Sequence, residues 1–256
     1  MSHKKKNDGE HWASFSDMMT GLMVVFMFIS ISYMIEIQQK DKEREHLLLE
    51  LKQEKAAQDN LFKAFATTKA SLYDELHATF AKEFTNWDME LDKDLSIRFT
   101  NPDILFDSGS TQIKPQFADI LKDFLPRYFK LLLQPQYAGK IAEIRIEGHT
   151  DRQPASWLDK DPYMANIKLS QARAASILKF LRELPFYQKL SPQQRDKIEF
   201  LTTANGLSYG RTLDSERHLT YISGQPEDAR LSRRVEFRIV PNNEALIQKA
   251  LQTVSK

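Results

Sequence analysis

One carboxylate, Asp17, stands at the start of the most apolar stretch of the sequence. The run from Met18 to Ile35 contains no charged residue, and at about 1.5 Å of helix rise per residue it is long enough to cross a bilayer. Asp17 has two interpretations. It can cap the start of a helix, as can Ser14 and Ser16. It can also carry an ion, since ionisable groups within membrane spans usually face a partner helix or an aqueous path. The stretch alone does not choose between them.

A second set of polar side chains occupies alternate positions where a strand is expected to end: Glu147, His149 and Asp151. These residue types could suit a metal or hydrolase site. A hydrolase needs a nucleophile or three good metal ligands, however, and no further histidine follows nearby in the sequence. Asp151 could equally form a loop-ordering ion pair with Arg173. We therefore expect no enzyme, no catalytic or metal-binding residues and no cofactor.

Composition bounds the class of protein. The chain has 256 residues and a formal net charge of +1, which fits one or two domains and argues against a protein that coats nucleic acid. The sequence contains no cysteine. Disulfides, thiol nucleophiles and cysteine-ligated metals are therefore excluded.

The N-terminal segment predicts how the chain is oriented in a membrane. Three lysines, Lys4 to Lys6, precede the apolar run, and such a flank stays in the cytoplasm. Residues 1–14 are thus expected to be a cytoplasmic tail, and residues 15–37 a single-pass membrane helix, with the following chain exported; the family resemblance described below implies the bacterial inner membrane and the periplasm. The apolar run exceeds the ~7–15 residues of a secretory signal, which favours an uncleaved anchor.

Residues 38–92 are predicted to form an amphipathic helical linker. The segment is highly charged and lacks glycine and proline, and Leu51, Phe65 and Leu72 fall on a seven-residue grid that also passes through Gln58. Such a grid is typical of the seam of a dimeric coiled coil. A solvated spacer without a partner helix is the alternative.

Residues 93–242 are predicted to form an α/β domain with a mixed sheet covered by helices. Expected strands lie at 95–99, 104–106, 144–147, 198–202 and 235–239. One helix is expected to kink or end at Pro126, and another to begin with Ser170 as its N-cap and to end before Pro185. Residues 243–256 are expected to be a C-terminal tail.

Three short motifs follow one another in this domain. They are Gly148-His149-Thr150-Asp151, an N-x-x-L-S-x-x-R-A pattern over residues 166–174, and Arg233-Arg234-Val235-Glu236. In this order they resemble the OmpA-type peptidoglycan-binding domain. The likeness covers residues 95–240 and implies the OmpA-like fold. The loop at residues 152–165 is longer than in OmpA itself and is expected to form a flap.

The resemblance implies a binding site for peptidoglycan. In the family, residues matching Asp151 and Arg173 hold the two ends of a diaminopimelate side chain, and those matching Asn166, Leu169 and Arg233 line the same groove. The chemistry is consistent, because diaminopimelate offers a free ammonium beside a carboxylate. Aspartate accepts hydrogen bonds from the first, and arginine can bind the second through two parallel bonds.

The start of the apolar run, with Trp12, Asp17 and Thr20, resembles that of MotB-like stator B subunits of ion-driven motors. This class implies that Asp17, with help from Thr20, carries H⁺ or Na⁺, and that two B chains stand inside a ring of five MotA-like A subunits. Within the class, the run and the charged stalk resemble the Zorya anti-phage system more than the flagellar stator. A flagellar-type subunit and a passive tether between membrane and wall remain the alternatives.

Overall fold

The computed structural model describes residues 7–153, 155 and 157–243, and the chain divides into two compact units between Asn60 and Leu61. The lysines of the predicted cytoplasmic tail lie outside the described residues. The same holds for the predicted C-terminal tail beyond residue 243.

The first unit consists of helix α1, Asn7–Phe80, up to Asn60. Its apolar stretch is exposed and has a mean hydropathy of 2.0, so α1 is long and apolar enough to cross a membrane. The predicted N-terminal apolar helix is confirmed. Asp17 lies inside α1, nearly three turns after Asn7. It therefore does not cap the start of this helix, and the capping interpretation is wrong.

The second unit begins at Leu61, within the predicted linker. Leu72, Leu76 and Phe80, on the last turns of α1, are 2%, 0% and 0% exposed in the hydrophobic core. Leu72 is therefore not available for a seam between two chains, which corrects the predicted coiled coil at that position. The domain also starts earlier than residue 93. Leu51 remains exposed in the first unit.

The domain is built on one mixed five-stranded sheet. Its strands are β1 Met89–Leu91, β2 Ser96–Phe99, β3 Ile141–Gly148, β4 Thr202–Gly206 and β5 Val235–Pro241. The strand order is β1-β2-β5-β3-β4, in which β3 and β4 are parallel and the other pairs antiparallel. Strands β3 and β5 are neighbours, and the motifs at residues 148–151 and 233–236 lie at one edge of the sheet, where β3 ends and β5 begins. We call this edge the functional edge.

The remaining helices of the described chain connect these strands. They are α2 Glu83–Asn86, α3 Pro102–Leu105, α4 Pro115–Leu132, α5 Pro162–Glu183, α6 Pro185–Gln188, α7 Pro192–Leu201, α8 Thr220–Ser223 and α9 Ala229–Ser232, with a short 3₁₀ turn at Pro135–Tyr137. Together with the sheet they confirm the predicted α/β class.

Two predicted strands are helices instead. The segment at 104–106 belongs mostly to α3, because Asn101 caps this helix by accepting a bond from the Asp103 amide and proline occupies its first turn. The segment at 198–202 lies largely in α7, which opens with a capping box between Ser191 and Gln194. Strand β4 starts only at Thr202.

Two predicted helix signals also differ in the structure. Helix α4 passes through Pro126 without ending. Helix α5 begins two turns before Ser170, with Asp161 as its N-cap. The Ser170 hydroxyl instead donates to the Asn166 carbonyl at 2.7 Å, as serines inside helices often do. The predicted end of α5 before Pro185 is confirmed.

Aromatic rings fill the core between the sheet and the helices. The ring of Phe124, on α4, lies 4.9 Å from that of Phe237 on β5, 5.1 Å from that of Phe99 on β2 and 5.1 Å from that of Phe80 on α1. All four side chains are fully buried. Each contributes ~1.5–3 kcal/mol by burial, so this core holds strands β2 and β5 in place beneath the functional edge.

Candidate functional site

The five predicted wall-binding residues line one cavity at the functional edge of the sheet. The cavity has a volume of about 440 Å³. Its lining includes Asp151, Asn166, Leu169, Arg173 and Arg233. Sequence reasoning thus placed together residues that the fold brings together across three separate segments. Their role in binding remains a prediction.

A close approach between α5 and β3 positions one wall of the cavity. A Cβ atom on Gly148 would lie 2.3 Å from the Ser170 carbonyl oxygen, so only glycine lets the helix pack against the end of the strand. Asn166, Leu169 and Arg173 share one face of α5 at spacings of three and four residues. That face is turned toward the cavity.

Backbone hydrogen bonds hold the segment that follows β3. The His149 amide donates to the Arg234 carbonyl at 3.1 Å, and the Thr150 amide donates to the Ser208 carbonyl at 3.0 Å. These bonds fix the chain on both sides before it reaches Asp151. The carboxylate is 4% exposed and therefore enters the cavity from an ordered backbone.

Asp151 is paired with Arg233, and not with Arg173. Its Oδ2 accepts from Arg233 Nη1 at 2.6 Å, and its Oδ1 accepts from the Gln153 amide at 3.1 Å. Arg233 is 36% exposed at its side chain. The loop-ordering pair considered for Asp151 thus exists with a different arginine. The carboxylate already has partners before any ligand enters.

Arg173 binds the loop across the cavity. Its Nε donates to the Ser110 carbonyl at 2.8 Å and its Nη2 to the Asp107 carbonyl at 3.0 Å, while its guanidinium lies 5.1 Å from the centre of the Phe106 ring. Burial lowers the pKa of Arg173 to about 10, although the charge of Asp151 acts in the opposite direction. The side chain therefore remains a cation at neutral pH.

Asn166 and Leu169 stabilise the two ends of the flap. Asn166 Nδ2 donates to the Gln153 carbonyl at 3.0 Å. Leu169 packs with Ala155 and Ala165 in a small buried cluster separate from the main core. These contacts order residues next to Asp151. Both side chains thus shape the cavity from α5.

The predicted flap contacts the loop at residues 107–110. A Cβ atom on Gly109 would stand 2.4 Å from Cζ2 of Trp157, and Gly109 has a φ of +69°. Glycine is therefore required there both for the backbone conformation and for the close approach of the indole. Lys168 ties the flap to α5 by an ion pair of 2.6 Å with Asp159. Trp157 and Gly109 both line the cavity.

A buried ionic cluster lies beneath the cavity. Glu236 Oε2 is 3.3 Å from Arg234 Nε and 3.4 Å from His149 Nε2, and Glu236 Oε1 accepts from Arg238 Nη2 at 2.7 Å. Burial alone would raise the pKa of Glu236, but Arg234 and its other cationic neighbours hold it at about 2. Burial also keeps the pKa of His149 well below its ordinary value, so the imidazole is neutral.

The carboxylates and the imidazole of this cluster are close enough to hold a metal ion. Glu147, His149 and Glu236 present ligand atoms within 4.8 Å of one another. The same carboxylates, however, already face guanidinium groups: Arg238 Nε lies 3.6 Å from Glu147, and Arg98 Nε lies 3.5 Å from Glu236. These positive charges oppose a further cation. The arrangement therefore suits a structural ion-pair cluster.

Sequence reasoning missed most partners of the site residues. Glu236 and Arg234 belong to the motif at residues 233–236. Their contacts with His149, through the Glu236 carboxylate and the Arg234 carbonyl, depend on β5 lying beside β3. The carbonyls that Arg173 binds belong to a loop more than sixty residues earlier in the chain. Every residue has a backbone carbonyl, so the sequence does not indicate which carbonyls accept hydrogen bonds from Arg173.

The predicted ion-carrying residues belong to the first unit. Asp17 is exposed on α1. The Thr20 hydroxyl donates to the Ser16 carbonyl at 2.8 Å. The ion-carrying role of both residues stays a prediction.

The OmpA family matches residues 105–212. The chain is 37% identical over 252 residues to the Zorya protein ZorB of an Escherichia coli strain, covering 97% of this chain and 95% of that protein. Among solved structures, the periplasmic domain of Helicobacter pylori MotB is similar at 18% identity and a TM-score of 0.39 over 64% of this chain and 89% of that one. A shorter form of that domain is similar at 21% identity and the same TM-score, over 66% and 99%.

Proposed function

The chain belongs to the family of the Zorya protein ZorB, and on that premise we propose that it is the B-type stator subunit of an ion-driven anti-phage motor. The proposal joins two structural features. One is a helix able to span a membrane with Asp17 inside it. The other is a domain whose cavity gathers Asp151, Arg173 and Arg233. The subunit is non-enzymatic: it connects the inner membrane to peptidoglycan.

The cavity supports wall attachment through its charges. Arg233 is paired with Asp151, and Arg173 donates to the loop at 107–110. Arg234, which is paired with Glu236, adds a third guanidinium to the lining. The lining also contains Lys114, Asp103 and Asp107. A cavity with both positive and negative side chains suits a ligand that carries both a carboxylate and an ammonium. The free end of diaminopimelate in uncrosslinked wall peptide has both groups side by side.

Binding of such a ligand exchanges partners in the cavity. The ligand's ammonium takes a share of Asp151, and Arg233 turns from that carboxylate toward the ligand's own. Arg173 is held in place by the Ser110 and Asp107 carbonyls. Its guanidinium is thus oriented in advance, which reduces the entropy lost on binding.

The motor part of the proposal depends on Asp17. A carboxylate within a membrane span is costly unless it faces a partner helix or water. We assign it the transfer of H⁺ or Na⁺ at the contact with a ring of A subunits, with two B chains in the ring. Since Asp17 lies well inside α1, its substitution leaves the start of the helix unchanged.

Phage protection by cells that carry the complete defence system tests this assignment. Asp17→Asn keeps the size and polarity of the side chain but is permanently uncharged, and we expect it to abolish protection at parental abundance. Asp41→Asn is the matched control, because Asp41 is also an exposed aspartate of α1 but lies beyond the apolar stretch. We expect it to protect fully.

Full protection by Asp17→Asn would contradict the motor and leave the passive tether. Equal loss in Asp17→Asn and Asp41→Asn would show a general sensitivity of α1 to charge and would also contradict the assignment. Binding of peptidoglycan should be the same in both variants. That measurement separates loss of ion transfer from loss of wall attachment.

A further inference from the structure

A second cleft adjoins the cavity, and the proposed wall attachment does not use it. It has a volume of about 330 Å³ and is lined by three tyrosines, Tyr163, Tyr209 and Tyr221, together with Arg152 and Glu227. We call it the tyrosine cleft. Asp151 lines the cavity and Arg152, the next residue, lines the cleft. The two sites therefore share one segment of backbone.

Two of the three tyrosines of the cleft, Tyr163 and Tyr221, have exposed side chains. Tyr163 and Tyr209 meet edge to face with their ring centres 5.2 Å apart, and Arg152 lies 5.5 Å from the centre of the Tyr209 ring. Tyr163 is 41% exposed and Tyr221 is 94% exposed. Such rings offer an apolar face and a hydroxyl that can form hydrogen bonds. This combination matches a sugar ring, which has apolar C–H faces and a rim of hydroxyls.

The charges of the cleft cancel. Arg152 Nε lies 3.3 Å from Glu227 Oε2, and the Arg152 amide donates to Glu227 Oε1 at 3.3 Å. No excess positive charge remains among the described lining residues to attract an anion. The cavity, by contrast, has Lys114 and three guanidiniums against three carboxylates in its lining. The cleft therefore favours a neutral ligand and the cavity a charged one.

We propose that the tyrosine cleft binds the neutral glycan part of peptidoglycan, an oligosaccharide of N-acetylated amino sugars. This rests on the proposed wall attachment through the cavity. Because the stem peptide is covalently joined to its sugar, a peptide held at Asp151 brings the sugar close to the backbone shared with Arg152. The cleft thus recognises the strand that carries the peptide.

Ligand-observed saturation-transfer NMR on the full chain in detergent tests the proposal. The probe is the tetrasaccharide of N-acetylglucosamine, which is neutral and has no peptide. Tyr221→Ala should weaken its binding about three- to tenfold, as expected for the loss of one aromatic contact. The control is Phe200→Ala, since Phe200 is an aromatic residue that is 82% exposed and lies outside the described lining of both sites. It should bind the probe like the parent.

A second probe separates this proposal from the function on which it rests. The parent and Tyr221→Ala should bind a sugar-free stem peptide with diaminopimelate equally well. Lack of peptide binding, with sugar binding that depends on Tyr221, would support the cleft and contradict the assignment of the cavity. No binding of the tetrasaccharide, or equal binding by the parent and both variants, would overturn the glycan site. Loss of complex assembly in Tyr221→Ala without any sugar binding would also overturn it, by showing that the cleft docks a protein.

Discussion

Substitution of the two central cavity residues should affect wall binding alike but stability differently. Asp151→Ala removes the carboxylate that accepts from Arg233 and from the Gln153 amide. Arg233 is 36% exposed at its side chain, so water can solvate it after the change. Because Asp151 is itself buried and the Gln153 amide loses its acceptor, we expect a loss of folding stability of about 1 kcal/mol.

Arg173→Ala removes more contacts within the domain than Asp151→Ala does. Arg173 is 9% exposed, donates two hydrogen bonds to the loop at 107–110 and lies over the Phe106 ring. Bonds from a charged donor contribute ~1.5–3 kcal/mol. Since the truncation also leaves two carbonyls without these donors, we expect a loss of about 2–3 kcal/mol in the free energy of unfolding.

Both variants should bind peptidoglycan weakly. Truncation of one partner of a well-desolvated charge pair costs ~2–5 kcal/mol, and the exposure of Arg233 places this site at the lower end. A loss of 2 kcal/mol corresponds to about a 30-fold weaker affinity. Sedimentation with purified sacculi measures binding, and thermal unfolding of the full chain in detergent measures stability.

The two readouts together decide the outcome. Asp151→Ala should lose binding with a smaller fall in unfolding temperature than Arg173→Ala shows, so misfolding cannot explain the loss. Lys179→Ala serves as a control and should bind sacculi like the parent, because Lys179 also lies on α5 and forms an ion pair, with Glu183, but is absent from the described cavity lining. If Asp151→Ala and Arg173→Ala bound sacculi like the parent, the assignment of the cavity would be refuted.

Two further predictions concern the stalk and the pH dependence of the domain. Leu51→Ser should reduce crosslinking between two chains in membranes at an unchanged unfolding temperature, whereas Leu72→Ser should destabilise the domain by ~2–5 kcal/mol because Leu72 is buried in its core; crosslinking unaffected by Leu51→Ser would favour the solvated spacer. The pKa of Glu236 is about 2, below the ordinary 4.5, so its contribution to stability is fully present above pH 4.5 and is lost as pH falls toward 2. Unfolding temperatures of the full chain between pH 5 and pH 2 should therefore fall, and Glu236→Gln should flatten this dependence; an equally steep fall in Glu236→Gln would assign the effect to other groups.

The sequence predicted the strands in which apolar residues alternate with polar ones, because one face of such a strand is buried. Strands β2, β3 and β5 were expected because apolar residues alternate along them, and the structure confirms all three. Helix α7 was missed because Ile198 and Phe200 stand at alternate positions, as apolar residues of a strand do. In the structure Phe200 is 82% exposed, and only Ile198 and Leu201, spaced three apart, are buried in this helix.

The sequence predicted which residues line the cavity, but not which of them contact one another. The motifs named five residues that do line one cavity. Arg173 and Arg233 have the same chemistry, however, and residue type alone cannot tell which of them Asp151 contacts. The choice depends on the start of β5 lying beside the end of β3. The end of α1 was likewise assigned to a linker, since a stripe of leucines fits a seam and a domain core equally well.

The internal pairing of Asp151 with Arg233 would weaken the proposed attachment of each domain to peptidoglycan. Because a ligand replaces an existing ion pair, the gain at one site is only the difference between two similar interactions. A single cavity should therefore release its peptide readily. Two chains held side by side would convert the second attachment into an intramolecular event at high effective concentration. The dimer would then stay attached because its two sites rarely dissociate at the same moment, while each site could still exchange one wall peptide for another.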